Sequence, residues 1–331
     1  MGGSTWSDDF YRARAKTRVD TGTTAFDYSD RVTTSTSRSS WKAHETLDPK
    51  GIIREARDSD DHPNTNAIAV LFDVTGSMGN IPVTLQKKLP SLLTMLVRKG
   101  YIEDPQILFG AVGDATCDRV PLQVGQYESG NEMEDSLGNI LIEQGGGGGR
   151  RESYELGMYF FANKIEMDCL DKRGDKGYLF TIGDEMPYKT VKKSEILEVL
   201  GDTVQADIPI EEVVEALQAK YHYFHIIPDR ASHGGNKDIF DEWVRLLEQN
   251  VLHLDNPDGV CETIAMAIGI NEDVIDVETG LDDLTDFDVS DSLKVSISKA
   301  VATLDGSNNG ALSKTVTSIP EVNNTGSSTR L

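Results

Sequence analysis

The chain has 331 residues, 38% of them hydrophobic, which is enough apolar material for one large core or two small ones. Its formal net charge of −23 repels phosphate backbones and anionic headgroups, so neither nucleic acid nor a membrane is an expected partner. The three cysteines form no CxxC pair, and no run is apolar and long enough for a signal or membrane-spanning segment, so a cytoplasmic location is expected.

Residues 1–65 are rich in Ser, Thr, Asp and Arg and lack sustained periodicity, which predicts an extended N-terminal arm. Its short basic piece, Tyr11 to Arg18, reads as a solvated tail or as a contact for an acidic partner. From residue 66 to residue 270, short apolar runs alternate with amphipathic stretches, the pattern of a doubly wound α/β domain with a mainly parallel central sheet. Ala67 to Val74 is nearly continuous in apolar residues, as a central strand covered on both faces requires. Ile107 to Gly113, Tyr178 to Gly183 and Tyr221 to Ile227 are runs of the same type.

The helix after the first run carries Leu85, Leu89, Leu92, Leu93 and Leu96 on one stripe, with Pro82 in its first turn and Pro90 expected to bend it. Later stripes are Val213, Val214 and Leu217; Ile239, Phe240, Trp243 and Leu247; and Val260, Ile264, Ala267 and Ile268. Beyond residue 270 the composition turns acidic, predicting that the compact core ends there. Residues 271–331 are then an acidic C-terminal segment with a flexible end from about Ser307.

The stretch LFDVTGSMG leaves a buried strand and opens a helix, where open α/β sheets place their ligands. Asp73, Thr75 and Ser77 at alternate positions put three oxygen groups on one side of a tight turn at Gly76. One carboxylate, two hydroxyls and retained waters suit Mg2+, and octahedral oxygen sites also accept Mn2+. Helix capping and turn hydrogen bonds are the bland alternative for the same residues. Asp184, at the tip of a second strand run, favours the metal reading, because the tips of parallel strands share one edge.

These residues together resemble the von Willebrand factor type A domain and its metal-ion-dependent adhesion site, whose first motif is Asp-x-Ser-x-Ser with Thr allowed. The resemblance covers roughly residues 66–270 and carries Asp73, Thr75, Ser77 and Asp184 onto the family's metal site. A further family ligand, a Thr in a Gly-rich turn, is missing from QGGGGGRRESYELGMYF, so the resemblance points to Glu152 or Ser153 in its place. It implies a metal position left open for a partner's carboxylate, and hence a binding module, adaptor or scaffold and not an enzyme. Intracellular relatives of this kind work beside ATP-driven remodelling machines or inside assemblies, so such a machine or self-assembly is the expected partner.

Three other readings compete. LFDVTGSM also looks like a haloacid-dehalogenase nucleophile motif with Asp73 as phosphoryl acceptor, although Lys189, Lys192 and Lys193 follow Asp184 instead of preceding it. The run Gly145 to Gly149 lacks the Lys and hydroxyl that end a phosphate loop. His222, His225 and His233 have no zinc-ligand spacing, and His222 and His225 point to opposite strand faces. A purely structural oligomer that never uses a metal is the remaining alternative. The acids between Glu272 and Asp291 could also offer a carboxylate to the metal of their own or a neighbouring copy.

Overall fold

The structure, a computed structural model, describes residues 6–143, 149–229, 231–287 and 289–304. Four of the five glycines of Gly145 to Gly149, and the segment beyond Ser307, lie outside the described residues. Six strands form the central sheet: β1 (Asn66–Asp73), β2 (Pro105–Val112), β3 (Leu122–Val124), β4 (Gly177–Ile182), β5 (Tyr221–Pro228) and β6 (Val251–Leu254). Their order is β6-β5-β4-β1-β2-β3, with every pairing parallel except the antiparallel β3 on β2. The chain passes from β1 to one side through β2 and later to the other through β4, which opens a crevice at their C-terminal ends.

Period-two alternation divides the core. Ile68, Val70 and Phe72 of β1 face a cluster shared with the helices Ile81–Leu93 and Val260–Asn271, including Leu85, Leu89, Ile264 and Ile268. Ala67, Ala69 and Leu71 face the other cluster, built with Tyr154–Asn163, Ile210–Gln218 and Lys237–Leu247. The chain is thus an α/β fold with a mainly parallel sheet covered on both faces, as the sequence predicts. Among the described residues, no helix is long and apolar enough to cross a membrane.

The first 65 residues differ from the extended arm expected of them. Asp8–Thr21 and Asp27–Ser35 are helices, the first opened by the Ser7 hydroxyl accepting from the Phe10 amide and closed by left-handed Gly22. Only Tyr11 of the first helix is buried, and ion pairs of Arg14 and Arg18 with Glu134 hold it in place. No apolar stripe existed to be read.

Pro90 adds a specific tie. Proline has no N–H, so Gln86, four residues earlier, loses its helical donor, and the Tyr11 hydroxyl donates to that Gln86 carbonyl at 3.2 Å. Thr94–Arg98 then continues the helix with wider π-type turns. Further along the arm, the Leu47 carbonyl accepts from the Val124 amide at 2.9 Å and so covers part of the free sheet edge at β3.

The acidic C-terminal segment also departs from expectation, because the core continues through Leu304. The helix Val277–Asp283 with its following turn Leu284–Phe287, and the helix Asp291–Val301, place Leu284, Leu293, Ile297, Ala300 and Val301 in the same cluster as β1. The acids lie on the outward face, with Lys99 paired to Asp283 and Asp286. Glu272 accepts a hydrogen bond from Tyr178, the second residue of β4, which puts the start of this segment at the N-terminal edge of the sheet. Eight residues of β1 separate that edge from Asp73, on the order of 25 Å at about 3.3 Å per residue. The helix Asp291–Val301 returns to the opposite edge, where the Ser296 hydroxyl accepts from the Asn256 amide just past β6.

Candidate metal centre

β1 and β4 are neighbours, with Phe72 opposite Ile182, so Asp73 ends one strand while Asp184 follows the other by two residues. Both carboxylates are wholly buried. The Thr75 amide donates to Asp73 Oδ1 at 2.7 Å, and the Tyr154 hydroxyl donates to Asp73 Oδ2 at 3.3 Å. Ser77 donates its hydroxyl to Asp184 Oδ1 at 2.7 Å, and the His233 amide donates to Asp184 Oδ2, also at 2.7 Å. Thr75 Oγ1 lies 3.1 Å from Ser77 Oγ. Four of the predicted residues thus meet in one continuous oxygen cluster.

The turn that presents the hydroxyls is short. Thr75 is extended, Gly76–Met78 makes one 3-10 turn, and Gly79 at φ +52° redirects the chain into the helix Ile81–Leu93. A loop after β5 closes the other side, where the Ser232 amide donates to the Ser77 carbonyl at 3.2 Å.

Glu152 lies in a two-residue strand, Arg151–Glu152, paired in parallel with Met186–Pro187 directly after Glu185. It is 2% exposed, and its Oε2 has no hydrogen-bond partner among the described residues. Burial pushes the carboxyl up to about 11, and the charges of Asp73, Glu185 and Asp114 add to the rise. Glu185 is pushed up to about 8 by burial and by Asp73 and Asp184, while a hydrogen bond with Glu152 opposes the rise. Asp73 is pushed up to about 7, by burial first and also by Asp184, against the lowering effect of its bonds from Thr75 and Tyr154. Ser153, the alternative to Glu152, has its hydroxyl turned away to accept from the Ala115 amide at 2.9 Å.

The fit to a cation rests on two features of this cluster. A wholly buried carboxylate pair, bridged by hydroxyls, supplies hard oxygen donors at one point, and the unpartnered Glu152 oxygen beside it lacks the positive partner that buried carboxylates normally have. Among the described residues, no three His, Cys, Asp or Glu side chains converge to hold an ion by themselves, so hydroxyls and water would have to complete the shell. Asp73, Asp184, Thr75 and Ser77 are the residues that would hold it.

Sequence reasoning missed several neighbours. Asp114 follows β2 by two residues, as Asp184 follows β4, and accepts from Thr116 and Tyr188; the tip position after a hydrophobic run was its only sequence signal. Glu185 sat beside a named acid. Tyr154 gave no signal, because its helix is apolar on nearly every side and contact with Asp73 is made across 81 residues.

Of the histidines, His225 is wholly buried, stacks on Trp243 with ring centroids 3.5 Å apart, and bonds Thr181 through Nδ1; burial holds its imidazole well below the usual value. His222 packs beside Tyr178 on the opposite face. Lys192, one of the lysines after Asp184, pairs with Glu195.

No family model matches the chain, and no curated protein does. Solved structures with a similar fold include the pilus adhesin SpaC from Lactobacillus rhamnosus GG in its open conformation, at 13% identity and a TM-score of 0.44 over 67% of this chain and 31% of that one. Proximal thread matrix protein 1 from the mussel byssus aligns at 11% identity and a TM-score of 0.41 over 64% of this chain and 50% of that one. A form of the same mussel protein with a zinc-occupied MIDAS motif aligns at 10% identity and a TM-score of 0.37. The chain spans between about a third and a half of the length of these structures, and the likeness is one of fold alone.

Proposed function

We propose that this chain is a protein-binding module that works through one divalent cation, Mg2+ or Mn2+, held by Asp73, Asp184, Thr75 and Ser77. The observation that carries the reading is the pair of wholly buried aspartates at adjacent parallel strand tips, with Thr75 bonded to one, Ser77 to the other, and their hydroxyls 3.1 Å apart. Asp73 and Asp184 supply two carboxylates that balance a divalent ion, and the neutral hydroxyls add no further negative charge. Such an ion keeps enough Lewis acidity to attract a carboxylate from a partner protein.

Binding without bond breaking is the form of the proposal, since an ion held partly by neutral hydroxyls stays electron-poor and accepts an outside carboxylate. A cytoplasmic adaptor or scaffold, working beside an ATP-driven machine or in self-assembly, is the specific form of the proposal. The three cysteines are free thiols, in keeping with a reducing compartment.

Calorimetric titration of Mg2+ and Mn2+ into metal-free protein tests it. One saturable site, lost in Asp73→Ala and in Thr75→Ala plus Ser77→Ala, with aspartate-bearing peptides retained in Mn2+ and released by chelator, is the expected result. No saturable binding in the wild type would sink the reading. Release of phosphate from an aryl phosphate, abolished by Asp73→Ala, would transfer it to a phosphotransferase.

A further inference from the structure

The structure assigns to Tyr154 the positioning of the cation-binding carboxylate of Asp73, through a passage that only glycine at position 183 leaves open; this rests on the cation reading above. The Tyr154 hydroxyl lies 3.3 Å from Asp73 Oδ2, wholly buried, and is the counterpart on that oxygen of the Thr75 amide on Oδ1. A donor on each oxygen of Asp73 fixes the plane of the carboxylate and leaves lone pairs to face an ion.

Two features hold the hydroxyl there. The Tyr154 ring meets His225 and Trp243 edge to face, with centroids 5.6 and 5.3 Å away, and Trp243 in turn stacks on His225. Trp243 Nε1 donates to the Glu185 carbonyl at 2.9 Å, so one aromatic group braces both the β1 tip, through Tyr154, and the turn after β4. The second feature is Gly183. A Cβ at this position would stand 1.8 Å from the Tyr154 oxygen, 2.8 Å from its Cζ and 3.2 Å from Asp73 Cβ. The hydroxyl passes through the volume that any other residue would fill.

A tyrosine here does what a charged donor could not. It satisfies an ionised carboxylate without supplying positive charge that would compete with the cation, and burial keeps its own proton in place by raising its pKa well above the usual range. Its ring would pack equally well as phenylalanine, so the hydroxyl is the part that serves the site.

The test is Mn2+ and Mg2+ affinity of full-length wild type, Tyr154→Phe, Gly183→Ala and the double variant, with melting of each metal-free protein measured alongside. Tyr154→Phe is expected to weaken Mn2+ binding about tenfold or more, the range seen when the outer partner of a metal ligand is lost. Its metal-free melting should stay near that of the wild type. Gly183→Ala should weaken binding as well, and by less once Tyr154 is already Phe, because the displaced oxygen is gone. Colourless Mg2+ should change the near-ultraviolet tyrosine signal of the wild type and not of Tyr154→Phe, a response that packing alone would not produce. Wild-type affinity in Tyr154→Phe would overturn the positioning role while leaving the cation reading intact. No ion binding in the wild type would overturn both.

Discussion

Asp73 and Glu185 are carboxyls whose proton affinity is raised by the fold, and this gives the metal-free protein a pH dependence of definite sign. Their folded values, about 7 and about 8, exceed the ordinary carboxylate values, so the folded state holds protons that the unfolded chain has released. Stability is then fully present below the unfolded values and is lost as pH rises through 7 and 8. Asp58 has the opposite sign: against its burial, bonds from Thr65, Arg173 and Lys172 hold it at about 2, and its contribution is lost only as pH falls toward that value. The metal-free melting temperature should fall between roughly pH 5 and 8.5, and saturating Mn2+ should flatten the slope by favouring the ionised cluster. A flat or rising profile without metal would contradict the buried, unneutralised state of these groups. At this scale the sequence was informative where chemistry and position coincide, as in Asp73, Thr75 and Ser77. It was silent on Tyr154, because a contact across 81 residues leaves no local mark.

The helix Asp8–Thr21 shows why some elements cannot be read from periodicity. It buries one side chain, Tyr11, and its attachment consists of ion pairs to Glu134 and the hydroxyl bond to the carbonyl that Pro90 leaves free. A polar helix of this kind should detach before the domain unfolds. Arg14→Glu combined with Arg18→Glu should make the amides of residues 8–21 exchange rapidly while the domain's melting temperature moves by only a few degrees. A large drop in melting temperature would mean that the helix is part of the cooperative core. Tyr11→Phe separates the two attachments, since it leaves the Gln86 carbonyl without its donor at a cost of about 1 kcal/mol. The loop after β5 follows a different logic: a Cβ on Gly234 would stand 2.1 Å from the Pro228 carbonyl, so Gly234→Ala should shift the loop, loosen the His233 amide from Asp184 and weaken Mn2+ binding. Unchanged affinity in that variant would show that the loop does not hold Asp184.

Across the whole molecule, the doubly wound architecture was legible because four of its central strands are continuous apolar runs, which a sheet covered on both faces demands. The short β3 and β6 were not, having three and four residues between turns. The end of the core was misplaced for a different reason. Leu293, Ile297, Ala300 and Val301 repeat at helical spacing, but the acids around Val277 to Asp283 dominate the composition and concealed that stripe. This matters for any truncation. Removal of residues 272–331 takes away Leu284, Ile297 and Val301, all wholly buried, and strips the sheet face that β1 shares with Val260–Asn271. Such a chain should fail to fold cooperatively, whereas removal of residues 305–331 alone should leave melting and Mn2+ affinity unchanged. Ile297→Ala offers the graded version, with an expected loss of about 3 kcal/mol from a buried aliphatic truncation, read by urea denaturation. If the 272–331 deletion instead melted like the wild type, the last two helices would be an accessory and the core would end near residue 270 after all.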